Sequence, residues 1–184
     1  RFAPLYRIAF PTRWPPRPGT AAMLYRLTGS SLGRAGCTVR TSTGHLLKMD
    51  LPTLHGGDNT AAQPMETLLS SLLGCEVATA HYVARYLWPK PHNRIERIVW
   101  QDVTAKRDER GALALPIDSP PRVSPIITHV SGTAVVTLAA DSPVSNSDVH
   151  KLGELVEQRC PIAAMFVAAG CNLKIEWRLE PGDK

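Results

Sequence analysis

The feature that most constrains this chain is the stretch Pro64–Leu87. Proline suits the first turn of a helix, where its missing N–H has no partner to lose. Behind it, Met65, Leu69, Leu72, Glu76, Thr79 and Val83 recur at helical spacing, and Leu68, Cys75, Val77 and Ala78 widen the apolar surface. A helix that is apolar over most of its surface belongs inside a fold, near its centre. Trp88-Pro89-Lys90-Pro91 ends it. With 184 residues, 43% of them hydrophobic, the chain can bury such a helix in one core without disulfides or metal. No apolar stretch approaches the roughly 20 residues that a membrane span needs.

Strand signals surround this helix. Upstream they cover residues 22–27, 37–41 and 45–50, with Thr43-Gly44 as a hairpin turn between the last two. Downstream they cover residues 97–106 and 132–138, separated by a Pro/Gly loop at 110–122. Ser145 or Ser147 caps a second helix with Asp148 in its first turn. Pro161 starts a further helical segment that Gly170 stops. Residues 173–179 alternate as a closing strand, with Leu173, Ile175 and Trp177 on one face. Helices grouped against antiparallel strands predict an α+β fold.

Charge divides the chain. Net charge is +5, yet eight Arg and Lys residues precede Asp50 with no acid among them, and 13 bases face 15 acids after it. Residues 1–20 add Pro4, Pro11, Pro15, Pro16 and Pro18, together with Phe2, Tyr6, Phe10 and Trp14. Proline at that density predicts an extended arm rather than a helix. The expected organisation is an arm at 1–20 and one domain at 21–184. An Arg-rich, acid-free segment is typical of mitochondrial targeting. It equally suits contact with phosphates or stacking on unpaired bases of RNA. A mitochondrial location is expected, with the cytoplasm as the alternative.

There are four cysteines, Cys37, Cys75, Cys160 and Cys171, with no CxxC pair and no zinc spacing. No metal or bound cofactor is expected. In a reducing compartment each thiol is either inert core or reactive. Paired carboxylates, catalytic triads and phosphate loops are not evident. Gly56-Gly57 alone is no nucleotide fingerprint.

Three segments in order carry a resemblance: Gly33-Arg34-Ala35-Gly36; Gly56-Gly57 leading to Pro64-Met65-Glu66 and on to Gly74-Cys75; and Gln158-Arg159-Cys160-Pro161. Together they resemble the OsmC/Ohr superfamily over about residues 23–179. The resemblance implies antiparallel sheets around a buried central helix bearing the first Cys, in an intertwined homodimer. It implies that Cys75 attacks an organic hydroperoxide, that Cys160 resolves the product as a disulfide, and that Arg34 and Glu66 assist. A thiol reductant such as dihydrolipoamide would recycle the enzyme. Cys37 and Cys171 match no family motif and are expected to be structural.

The chain departs from the classical pattern by having Met65 directly after Pro64, with Glu66 one place later. Ten helical residues turn about 1000°, leaving position 65 some 80° from Cys75, whereas nine turn about 900° and set Glu66 on the opposite face. The Pro-Met-Glu form resembles less characterised OsmC-like branches. Two functions therefore stand side by side. One is a thiol-dependent peroxidase using Cys75, Cys160, Arg34 and Glu66. The other is a non-catalytic OsmC-fold subunit of a larger assembly, such as a mitochondrial ribonucleoprotein or ribosome, binding RNA through residues 1–20.

Overall fold

The computed structural model describes residues 23–180, so the 1–20 arm lies outside the described residues. The chain divides between Thr67 and Leu68 into two compact units.

The described part of the first unit is a three-stranded antiparallel sheet followed by a loop. Strands β1 (Leu27–Leu32), β2 (Gly36–Thr41) and β3 (Leu46–Met49) lie in sequence order. The first strand begins at Leu27, where the strand expected at 22–27 ends. The reason is the turn Gly33-Arg34-Ala35, which joins β1 to β2 and so draws residues 27–32 into register with 36–41. Gly33 has a φ of +56°, which favours glycine there. Gly44, at φ +91°, closes the β2–β3 turn as expected. Beyond β3, Asp50 is buried and collects the backbone N–H groups of Leu51, Asp58 and Thr60 at 2.8, 3.2 and 3.0 Å, plus the Thr60 hydroxyl at 2.9 Å. These bonds hold its carboxyl below the usual carboxylate range. They fold the Gly56-Gly57 loop back on itself, and Gly57 packs so tightly on the Leu51 carbonyl that no side chain fits.

Helix α1 (Pro64–Leu87) begins here and continues into the second unit. Its bounds are those its proline brackets predict. Within this single chain, however, its burial is a stripe rather than a full circumference: Leu72, Glu76, Ala80, Val83 and Ala84 are buried, while Leu68, Tyr82 and Tyr86 are exposed.

The second unit is built on a three-stranded sheet, β4 (Ile95–Arg107), β5 (Ile127–Leu138) and β6 (Asn172–Leu179), in that order. Strands β4 and β5 are antiparallel, but β5 and β6 are parallel. The expected antiparallel pairings are present, and β5–β6 adds one parallel pairing among the described strands. The cause is the connection: β5 returns to β6 through helices α3 (Asn146–Arg159) and α4 (Pro161–Ala168), a helical crossover that sets two neighbouring strands parallel. A further helical turn, α2 (Arg110–Leu113), lies inside the region expected to be loop. The sheet's core residues include Val130, Ala134, Val136, Ile175 and Trp177, and α3 adds Val149, Leu152 and Val156. Ser145 caps α3 in a reciprocal box with Asp148, as the spacing of serine and acid predicts.

Candidate thiol and carboxyl site

Cys160 occupies a joint. Pro161 disfavours helical geometry in the residue before it, so Cys160 takes φ −71° and ψ 115°, ending α3 and capping α4 at once. Its N–H donates to the Val156 carbonyl at 2.8 Å, and its own carbonyl accepts from Ala164 at 2.9 Å. Its Sγ accepts the Ala163 N–H at 3.4 Å and is wholly enclosed. Burial pushes the Cys160 thiol up to about 11, over the opposing pull of the α4 amide groups. The neighbouring Cys75 side chain adds to the rise in lesser part.

Cys75 projects from α1, half-buried, and both thiols are free. Its carbonyl accepts the Thr79 hydroxyl at 2.8 Å, an intrahelical bond that leaves the sulfur unengaged by that side chain. The structure thus brings together the two cysteines singled out in the sequence.

Next to Cys75 on α1 is a buried carboxyl to which sequence reasoning gave no role. Glu76 follows Cys75 on α1, fully buried, and neither carboxyl oxygen has a hydrogen-bond partner. Burial raises its carboxyl to about 8, and the charge of Glu157 on α3 adds to the rise. Glu157 is half-buried and itself raised to about 7, by burial first and by Glu154 in lesser part, against a backbone hydrogen bond from Ile175 of β6. Paired carboxylates are not evident from sequence, and the structure adds one enclosed carboxyl, Glu76, that feels the charge of Glu157. The one visible signal is an acid in an apolar stripe, Leu72-Glu76-Ala80, where burial of the carboxyl is written into the helical period. His81, also on α1, is exposed.

Arg34 and Glu66 belong to the first unit. Arg34 is exposed in the β1–β2 turn. Glu66 accepts the Gln63 N–H at 2.8 Å, which satisfies a backbone donor at the start of α1 and puts negative charge in its first turn. Cys171 is buried, and Cys37 is half-buried in β2. Among the described residues no group of three or more His, Cys, Asp or Glu could hold a metal ion, and no helix is long and apolar enough to cross a membrane.

The profile of the OsmC-like protein family matches residues 56–176. No curated protein sequence matches the chain. Among solved structures it is similar to an OsmC-like protein from Mycoplasma pneumoniae, with a TM-score of 0.66 and 18% identity over 88% of this chain and 100% of that one. It is also similar to an organic hydroperoxide resistance protein OsmC from Legionella pneumophila, with a TM-score of 0.56 and 14% identity over 85% and 99%. The organic hydroperoxide resistance protein OhrB of Bacillus subtilis gives 0.54 and 17% over 87% and 100%. At these identities the likeness is one of fold.

Proposed function

The chain belongs to the OsmC-like protein family, and from that premise we propose that it is a thiol-dependent peroxidase reducing organic hydroperoxides through Cys75 and Cys160. The observation that carries this reading is the Cys160 thiol neighbouring Cys75, near enough that Cys75 helps to raise its proton affinity. Two neighbouring thiols are what the passage from sulfenic acid to disulfide requires.

The chemistry runs in two steps. The Cys75 thiolate attacks the distal oxygen of the hydroperoxide, the O–O bond breaks, and the alkoxide leaves as the alcohol after taking a proton. Cys75 is then a sulfenic acid. Cys160 attacks that sulfur, hydroxide leaves as water, and a disulfide forms. A dithiol of the dihydrolipoamide class reduces the disulfide and is itself oxidised. A resolving thiol held protonated by burial, as Cys160 is, stays out of the first step and is spent in the second. Arg34 is proposed as the cation that favours the thiolate, and Glu66 as an assisting carboxylate, on the motif positions they occupy.

The first unit supports a homodimer as part of the proposal. Leu27, Leu32, Leu46 and Leu47 of its small sheet are between 43% and 61% exposed in the single chain. A second copy is the proposed cover. The acid-free basic stretch before Asp50 supports a mitochondrial location.

The deciding measurement is consumption of cumene hydroperoxide with dihydrolipoamide, beside Cys75→Ser. Turnover that vanishes in the variant supports the peroxidase. No turnover in a reduced preparation would sink it and leave the non-catalytic assembly subunit.

A further inference from the structure

The register of the small sheet sorts its side chains onto two faces, because successive residues of a strand point to opposite sides. Val39 of β2 shares one face with Leu27 of β1 and Leu47 of β3. The other face carries Thr38 and Arg40 of β2, Thr28 and Ser30 of β1, and Lys48 of β3. Just before β1, the Arg26 carbonyl accepts the Ser42 N–H at 3.1 Å, so Arg26 continues this second face by one rung. Arg40 pairs with Thr28 on one side and Leu46 on the other, which makes Arg26 and Lys48 its diagonal neighbours. Diagonal neighbours on one face stand about 7 Å apart. Three cations therefore cross the face in a slanting row, with the hydroxyls of Thr28, Ser30 and Thr38 beside them.

Nothing on the sheet offsets this charge. Arg26, Arg40 and Lys48 are exposed, and among the described residues none of them is in an ion pair. No acid precedes Asp50 in the sequence. Asp50 itself is buried, and its oxygens accept four hydrogen bonds. Asp58 stands at the β1–β2 turn, where a Cβ on Gly33 would lie 3.5 Å from its carboxyl oxygen. That is the opposite end of β1 from Arg26.

We propose that this face docks the phosphate backbone of RNA. Guanidinium and ammonium groups in a row meet successive phosphates, and hydroxyls that both donate and accept suit phosphate oxygens and the ribose 2′-OH. No aromatic side chain stands on the face to stack a base, so the docking is independent of sequence. An anionic membrane fits less well, since polybasic lipid sites take about four to eight Lys and Arg. A second copy seated here in a two-fold dimer would set the row against its own like charges. The exposed leucines do not require such a seat: all four lie on the edge strands β1 and β3, where a copy reaches them from the side. The row contains no residue of the thiol site, and it stands whether or not the chain consumes cumene hydroperoxide.

The test is the salt dependence of binding, read on the full chain by fluorescence anisotropy of a labelled single-stranded RNA of mixed sequence. Affinity should fall as salt rises from about 50 to 200 mM, and each phosphate contact to a single strand contributes about 0.7 to the slope of log K against log salt. Arg40→Gln and Lys48→Gln should each lower that slope by about 0.7, and the triple variant with Arg26→Gln by about 2. Lys174→Gln, at an exposed cation of β6, should leave it unchanged. A triple variant that keeps the wild-type slope, with its circular dichroism intact, overturns the proposal and moves the contact elsewhere in the chain. So does a wild type that ignores RNA but sediments with phosphatidylglycerol vesicles, or one that prefers DNA of the same sequence.

Discussion

Gly153 of α3 lies flat against the indole of Trp177 on β6: a Cβ at position 153 would stand 2.8 Å from the Trp177 Cβ and closer still to the ring. Trp177 is 2% exposed and meets Trp100 edge-on at 5.7 Å, so the ring has nowhere to retreat. Gly153→Ala gains up to about 1 kcal/mol of helix propensity but overpacks this contact, at a cost of about 1–3 kcal/mol. The expected net result is a lower urea midpoint with an unchanged slope. An unchanged or raised midpoint would show that α3 shifts on the sheet without strain.

Glu76 predicts the direction of the stability change with pH. Its folded proton affinity, about 8, lies above the ordinary 4.5, so the folded state binds more protons between those values. Stability is fully present below about pH 4.5 and is lost as pH rises towards 8, then levels off. The loss is on the order of 5 kcal/mol, since each tenfold difference in proton affinity between the folded and unfolded states is worth about 1.4 kcal/mol. Glu76→Gln should flatten this slope, so that the variant unfolds later than wild type at pH 8.5 and the advantage disappears at pH 5. Parallel curves for the two proteins across that range would show that the Glu76 carboxyl is solvated.

Cys160→Ser separates the two chemical steps. With Cys75 intact, one equivalent of cumene hydroperoxide should still be consumed and the sulfenic acid should accumulate, trapped as a dimedone adduct on Cys75. Steady-state turnover with dihydrolipoamide should fall by at least about tenfold, since the resolving thiol is gone. An adduct that forms equally in Cys75→Ser would place the reactive thiol elsewhere.

The exposed leucines of the small sheet predict the assembly state. Leu46, paired with Arg40 across β2 and β3, is 48% exposed in the single chain. If a second copy covers this face, Leu46→Glu buries a charge in the interface and should move the protein to monomer in light scattering. A wild-type protein that is already monomeric would remove the homodimer from the proposal.

Local chemistry makes much of the fold legible. Pro64 and Trp88-Pro89 bracket α1, Ser145 with Asp148 starts α3, and Gly44 turns β2 into β3, because each signal acts on its own few residues. The β1 strand lies later than its apolar pattern suggests: residues 22–27 form a strand-like run, whereas register is set by the turn at Gly33 and by pairing with β2. The two thiols are recognisable from their motifs. Glu66 is too, but its bond to the Gln63 N–H is not, since the rotamer that turns its carboxylate back on the helix start is not written in the spacing.

The sequence by itself determined where α1, α3 and α4 begin and end, and that a Cys-Pro joint interrupts the α3–α4 segment. These follow from backbone preferences that span a few residues. Only the tertiary structure decided that β5 and β6 run parallel, that Cys160 neighbours Cys75, and that Glu76 is enclosed without a hydrogen-bond partner. Those outcomes depend on tertiary packing, and residues far apart in the chain carry no local mark of which of them will share a buried space.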